Sequence, residues 1–188
     1  NSALKTAAKV KDQEFRTLIT WMHLKTTRNG ASFNEYKKFI EQNEDYPRIN
    51  RIKYLAEEKI YLRNNSPSSI INWFEKNPPL GGLGKIKLAE AYLEQKKFDK
   101  VEELIKDGWV TAEIRKNDLG YYRAKFKKFL TSDDHIKRAD YLAWERKYWD
   151  LKRMLKYLPK DQQALYNARQ ILMSNSYGVD NAINKVPE

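Results

Sequence analysis

Cysteine is absent from this 188-residue chain. Its absence excludes disulfides, thiolate metal sites and thiol nucleophiles. Histidine is nearly absent too, with only His23 and His135. No H-E-x-x-H and no histidine cluster can be drawn from two residues, so neither a metal nor any other cofactor is expected. A Ser–His–acid triad would have to use one of those two rings, and nothing in the sequence marks either. His135 follows Asp133-Asp134 in the first turn of a predicted helix, which suggests local hydrogen bonding near the cap. His23 falls at a predicted helix end, where a positive ring suits the dipole. No run of about 18 apolar residues exists, so no transmembrane segment is expected. The opening NSALKTAAKV lacks the apolar stretch of a secretory signal, and a chain that starts on Asn reads as trimmed. Strict apolar–polar alternation is missing throughout, which excludes a β architecture.

What is present is helical. Phe15, Leu18, Ile19 and Met22 recur at i, i+3, i+4, i+7 and define one face of a helix that Asn29-Gly30 ends. Ser32 with Glu35 three residues on is a capping box, followed by Phe33, Tyr36 and Ile40. Pro47 suits the first turn of a helix whose buried side is Ile49, Ile52, Leu55, Ala56 and Ile60. Ser66-Pro67 is another start signal, carrying Ile70, Ile71 and Phe74. Asn77-Pro78-Pro79-Leu80-Gly81-Gly82 is the strongest breaker in the chain and predicts a hinge or a change of direction. Its glycines, with Gly84, lack the order of a phosphate-binding loop and no strand precedes them. Asn117 opens a helix with Leu119, Tyr122, Phe126, Phe129 and Leu130 on one face, and Thr131 to Asp134 caps the next. Leu165, Ala168 and Leu172 give a further stripe, and Val179, Ile183 and Val186 a short terminal one that would sit under a following domain. The count is roughly ten helices, ten or eleven with short connections.

One helix-pair pattern occurs twice. Residues 89–105 read AEAYLEQKKFDKVEELI and residues 139–155 read ADYLAWERKYWDLKRML. Aligned without gaps, Ala89 meets Ala139, Phe98 meets Tyr148, Val101 meets Leu151, and Leu104 meets Met154. An apolar helix, a short charged turn, an aromatic and a second apolar helix form each copy. Such a unit buries its stripe against its neighbours, so the predicted fold class is all-α, an α-superhelix or solenoid of tetratricopeptide-like helix pairs over 1–188. A solenoid supplies a surface more often than a reaction centre. Paired acids such as Glu57-Glu58 and Glu102-Glu103 read as solvated, because neighbours on a helix diverge and a glycosidase pair must converge.

The surface has two candidate features. A net charge of +11, with pI near 9.6, attracts polyanions or simply solvates the fold, since 25 acids are interleaved with 36 bases. Among the five tryptophans, Trp144 and Trp149 fall off the apolar stripes of their helices. Exposed, they would stack on sugars or bases; buried, they would fill gaps between helix layers.

Three stretches carry a resemblance. SFNEYKKFIEQNEDYPRINRIKYLAEEKI (32–60), WFEKNPPLGGLGKIKLAEAYL (73–93) and FLTSDDHIKRADYLAWERKYWDLKRML (129–155) are similar, in this order, to segments of the soluble lytic murein transglycosylases of Gram-negative bacteria. The family forms read F…Y..F…NPDWP….L…AE, PPLTGRGRLALAEALL and LTPEDH..R.D.LLW.G.Y..A.RML. DQQALYNARQIL (161–172) continues in register, so the likeness spans about 15–186. Tyr46 stands where the family often has Trp, and Gly-Gly-Leu-Gly replaces the end of its proline loop. The resemblance implies an N-terminal superhelical domain, with a lysozyme-like catalytic domain expected C-terminal to this chain. That domain cleaves peptidoglycan without water, using a Glu followed by Ser. No Glu-Ser pair occurs here, so no catalytic residue carries over and the chain alone is not expected to be an enzyme. The implied role is periplasmic: binding or orienting peptidoglycan, next to its own catalytic domain and other wall proteins. The alternative is a tetratricopeptide-type protein scaffold. Nucleic acid is set aside, because acids alternate with the basic residues.

Overall fold

The computed structural model describes residues 2–27 and 29–187. Among these the chain is all-α, with twelve α-helices and no strand. No helix is long and apolar enough to cross a membrane. The chain divides into two compact units at the predicted breaker, one ending at Leu80 and the other beginning at Gly81.

The first unit holds α1 (Ser2–Ala7), α2 (Gln13–Leu24), α3 (Phe33–Gln42), α4 (Ile49–Glu57) and α5 (Pro67–Lys76). Local cap chemistry sets two of these starts. Ser32 accepts from the Glu35 N–H while Glu35 accepts from the Ser32 N–H, the reciprocal box that satisfies two orphan donors. Ser66 accepts from the Ser69 N–H, and Pro67 occupies the first helical position. Beyond α2, Asn29 gathers the end of the helix: its Nδ2 donates to the carbonyls of His23 and Thr26 and to the Tyr36 hydroxyl. Tyr36 is buried and its hydroxyl donates to the Leu24 carbonyl at 2.8 Å. Ile52, Leu55, Ala56 and Ile60 are buried, as are Ile70, Ile71 and Phe74. Phe33 packs edge-on against buried Trp73.

Four readings of this unit are corrected. Pro47 lies in the turn before α4, ahead of a left-handed Arg48 at the cap. The Phe15, Leu18 and Met22 side of α2 is exposed, and Leu24 is the one residue of that helix that is buried. Glu57 is buried, not solvated, and its Oε1 accepts the Leu80 N–H. The unit also begins with a helix, α1, that periodicity did not indicate.

The second unit holds α6 (Gly82–Glu94), α7 (Phe98–Thr111), α8 (Lys116–Lys125), α9 (Ser132–Trp144), α10 (Tyr148–Met154), α11 (Lys160–Met173) and α12 (Val179–Ile183). The fifty-residue register of the sequence repeat is kept to the residue: α6 and α9 start and end fifty apart, and so do the starts of α7 and α10. The connecting turns are alike. Lys96 and Arg146 are both left-handed, with φ of 58° and 54°. Behind each, the next N–H reaches back five residues, from Lys97 to the Tyr92 carbonyl (3.0 Å) and from Lys147 to the Leu142 carbonyl (2.8 Å). This is a Schellman closure, made here without glycine.

Packing runs between elements one or two apart in the chain: α6 on α7, α7 on α9, and α9 on α10 and α11. Ala89, Val101, Ile105, Ala139, Leu151 and Met154 form the shared core. The α6–α7 contact is very close at Gly82 and Gly108. A Cβ on Gly82 would stand 2.5 Å from the Ala112 nitrogen, and one on Gly108 would stand 2.8 Å from the Gly82 carbonyl. The breaker glycines thus serve a helix crossing as well as a turn. Three boundaries and one face differ from expectation. Asn117 lies inside α8, which runs Lys116–Lys125 and leaves Phe129 and Leu130 beyond its end, and α12 stops at Ile183. On α11 the buried residues are Tyr166, Ala168 and Gln170, while Leu172 is exposed.

Candidate binding surface

The two tryptophans singled out from sequence are exposed, Trp144 at 80% and Trp149 at 65%. The others are not: Trp73 and Trp109 are buried, and Trp21 is half-buried with its Nε1 donating to the Pro47 carbonyl. Trp144 is the last residue of α9. That helix is capped by Thr131 and Asp134, whose side chains exchange hydrogen bonds with each other's backbone N–H. Ala139, Leu142 and Ala143 turn inward, and this phase leaves position 144 facing solvent.

The Trp144 indole divides two open depressions. One, of about 500 Å³, is walled by Val110, Ile136, Lys137, Asp140, Tyr141 and Tyr166. The other, of about 360 Å³, is walled by Ala143, Arg146, Arg169, Leu172 and Met173. Asp140 and Arg169 join them: the Arg169 guanidinium pairs with the Asp140 carboxylate and lies 5.2 Å from the Tyr166 ring centre. The Tyr166 hydroxyl makes a longer contact to the same carboxylate, 3.4 Å. Burial, and after it the Asp140 charge, raises the Tyr166 pKa, so the phenol stays a neutral donor. Arg146, left-handed in the turn after α9, lines the second depression with Trp144. Trp149 lines neither depression. It packs edge-on against Tyr148 at 5.0 Å, with the Lys152 ammonium 5.5 Å from its ring.

The first copy of the repeat carries the same polar arrangement with a different outcome. Glu90 aligns with Asp140, and it accepts a hydrogen bond from the Tyr121 hydroxyl and an ion pair from Lys125 at 3.3 Å. Glu94 aligns with Trp144 and also takes Lys125, at 2.8 Å. Burial alone would depress the Lys125 ammonium. The hydrogen bonds to Glu94 and Tyr121 and the Glu90 charge outweigh it and hold its pKa above the ordinary lysine value. An acid on the first helix, engaged by a phenol and a cation from the third, is therefore a repeated element. Sequence reading missed Asp140, Tyr166, Arg169 and Arg146. The alignment held one signal for them, the acid at positions 90 and 140.

Beneath this surface lies a buried polar cluster. Arg138 is 1% exposed and donates to the carbonyls of Trp109 and Ala112, the latter at 2.9 Å, closing the C-terminal end of α7. Burial lowers its pKa to about 10, still charged at neutral pH. His135 does not bond at the cap, as its position suggested. Asp134 does that work, and the imidazole packs on Trp109 at 5.5 Å and near Tyr157. Its Nδ1 is buried without a partner among the described residues. Burial, then the Arg123 and Arg138 charges, hold its pKa below the usual histidine value.

No protein-family model, curated protein or solved structure matches the chain. The function must be argued from this geometry and from the residues quoted above. A largely exposed indole that borders two depressions, one of them also lined by Arg146 and Arg169, offers stacking to a sugar ring and charge-assisted hydrogen bonds to a carboxylate.

Proposed function

We propose that this chain is the superhelical accessory domain of a peptidoglycan lytic transglycosylase, and that the Trp144 surface holds the glycan–peptide strand for a catalytic domain outside this chain. The observation that carries the reading is the 80% exposed indole bordering two depressions, one of them also lined by Arg146 and Arg169. Sugar C–H faces pack on indole, while the lactyl and stem-peptide carboxylates of the wall polymer match guanidinium forks. The net charge of +11 adds an attraction that salt screens over about 8–10 Å. The segment likenesses support the same reading, which places the protein in the periplasm, among other wall proteins and without lytic activity of its own.

Co-sedimentation with purified sacculi at low salt tests it. The chain is expected to pellet with sacculi, to be released by salt, and to lose most of its binding in Trp144→Ala. A chain that stays in the supernatant ends the proposal, and clearing of sacculi by this chain alone would overturn the accessory role. A second reading, a tetratricopeptide-type scaffold for a protein partner, is favoured by the exposed Phe15, Leu18 and Met22 side of α2. It predicts saturable partner binding that wall digestion leaves unchanged.

A further inference from the structure

In the first unit α2 is mounted with its polar side toward α3. Amphipathic helices ordinarily turn the apolar stripe to the neighbour. Here Phe15, Leu18 and Met22 are 41–48% exposed, and the opposite side, through Gln13, Arg16, Thr17, Thr20 and His23, lines a groove of about 650 Å³. Helix α3 supplies Lys38 and Gln42 across from it, and buried Leu24 and Phe39 also border it. Forgoing apolar burial to build a polar-walled groove is a conflict between local pattern and packing of the kind that marks functional sites.

The wall holds its shape through its own bonds. The Thr17 and Thr20 hydroxyls donate to the carbonyls of Gln13 (3.0 Å) and Arg16 (2.8 Å). Arg16 gives Nη2 to Gln13 Oε1 at 2.7 Å. What remains without a partner is cationic. The Arg16 Nε is buried with no partner among the described residues. Among the described residues Lys38 enters no ion pair and the His23 imidazole no hydrogen bond. Among the described residues the one carboxylate on the wall, Glu35, already accepts from the Ser32 N–H and hydroxyl, each at 2.8 Å. A guanidinium and an ammonium thus face the groove against a single acid that is occupied at the cap.

We propose that this groove binds an oxyanion, a carboxylate or a phosphate carried on a polar body, with Arg16 and Lys38 as its charge partners. The proposal is independent of the wall-polymer reading, which rests on Trp144 in the other unit. The His23 imidazole lies in the groove and reports binding by NMR; the His135 imidazole, in the other unit, controls for shifts unrelated to the groove, and the signal of buried Trp73 in the first unit controls for the fold of each variant. Citrate, inorganic phosphate and neutral glucose are titrated at constant ionic strength. Citrate or phosphate is expected to shift the His23 signal saturably and leave His135 in place, and glucose to move neither. Arg16→Gln should weaken binding about tenfold or more, the scale of a charged hydrogen bond, and Lys38→Gln about threefold. A response to citrate alone assigns a carboxylate, and a response to phosphate alone assigns a phosphate. The proposal is overturned if neither anion shifts His23 saturably, if glucose shifts it equally, or if both variants bind as the wild type does.

Discussion

Glu94 and Trp144 end their helices at the same place in two copies of one helix pair. Around them the backbone is shared: equal limits for the first helix and an equal start for the second, matching left-handed turns, and an acid engaged by a phenol and a cation from the third helix. In the first copy Glu90 and Glu94 both take Lys125, so the position closes on itself. In the second, Asp140 alone takes Arg169, and position 144 is left to an indole with nothing over it. The difference teaches that the repeat is a scaffold whose positions can be spent on internal pairing or on a surface. Deeper positions diverge as well. Arg138, which closes the end of α7, aligns with Leu88, and Gly82, which lets α6 meet α7, aligns with Ser132.

Exchanging residues between the copies tests this, beginning with the largest expected effect. Arg138→Leu installs the first copy's residue and leaves the Trp109 and Ala112 carbonyls buried without donors. It is expected to cost about 3 kcal/mol in urea unfolding, since an unsatisfied buried acceptor costs about 1–3 kcal/mol. Gly82→Ser, the reverse exchange, sets a Cβ against the Ala112 backbone and should cost about 2 kcal/mol, whereas Ser132→Gly should cost under about 1 kcal/mol. A Gly82→Ser variant as stable as the wild type would show that the helices can separate there without penalty.

The His135 effect depends on pH. The unfolded imidazole takes up its proton near pH 6.5, while the folded one, held low by burial, does not. The unfolded state therefore binds more protons as pH falls below 6.5, and stability is expected to decline there, by at most about 1.4 kcal/mol per pH unit. His135→Phe should flatten that slope, leaving the carboxylate contributions that appear at lower pH. The smallest effect on stability belongs to Trp144→Glu, which copies Glu94 onto the surface. Its unfolding free energy should stay within about 0.5 kcal/mol of wild type. Its affinity for sacculi should fall at least as far as that of Trp144→Ala, since a carboxylate repels an anionic wall.

The parts of this architecture legible in sequence are those set by short-range chemistry. Ser32, Ser66 and Thr131 start helices because a side-chain oxygen two or three residues from an orphan N–H needs no tertiary partner. The Asn77–Gly82 breaker fell at the boundary between the units for the same reason. Periodicity found helix α2 but not its orientation, because which side is covered depends on what the rest of the chain lays against it. The same limit hid the buried side of α11 and the burial of Glu57, whose partner Leu80 is 23 residues away. At the candidate surface, the phase of α9 made Trp144 stand out. Tyr166 and Arg169 did not, because they reach Asp140 across 26 and 29 residues.

Lys96 and Arg146 sit where glycine would be free of strain, and each left-handed turn costs on the order of 1 kcal/mol. A designer seeking a hardier protein would change both to glycine first. In the first copy that exchange is cheap, for Lys96 lines no described depression. In the second it removes a guanidinium from the edge of the Trp144 surface. Screening for heat resistance alone would therefore treat the two turns as equals, while a screen that also demanded wall binding would accept glycine at 96 and keep arginine at 146.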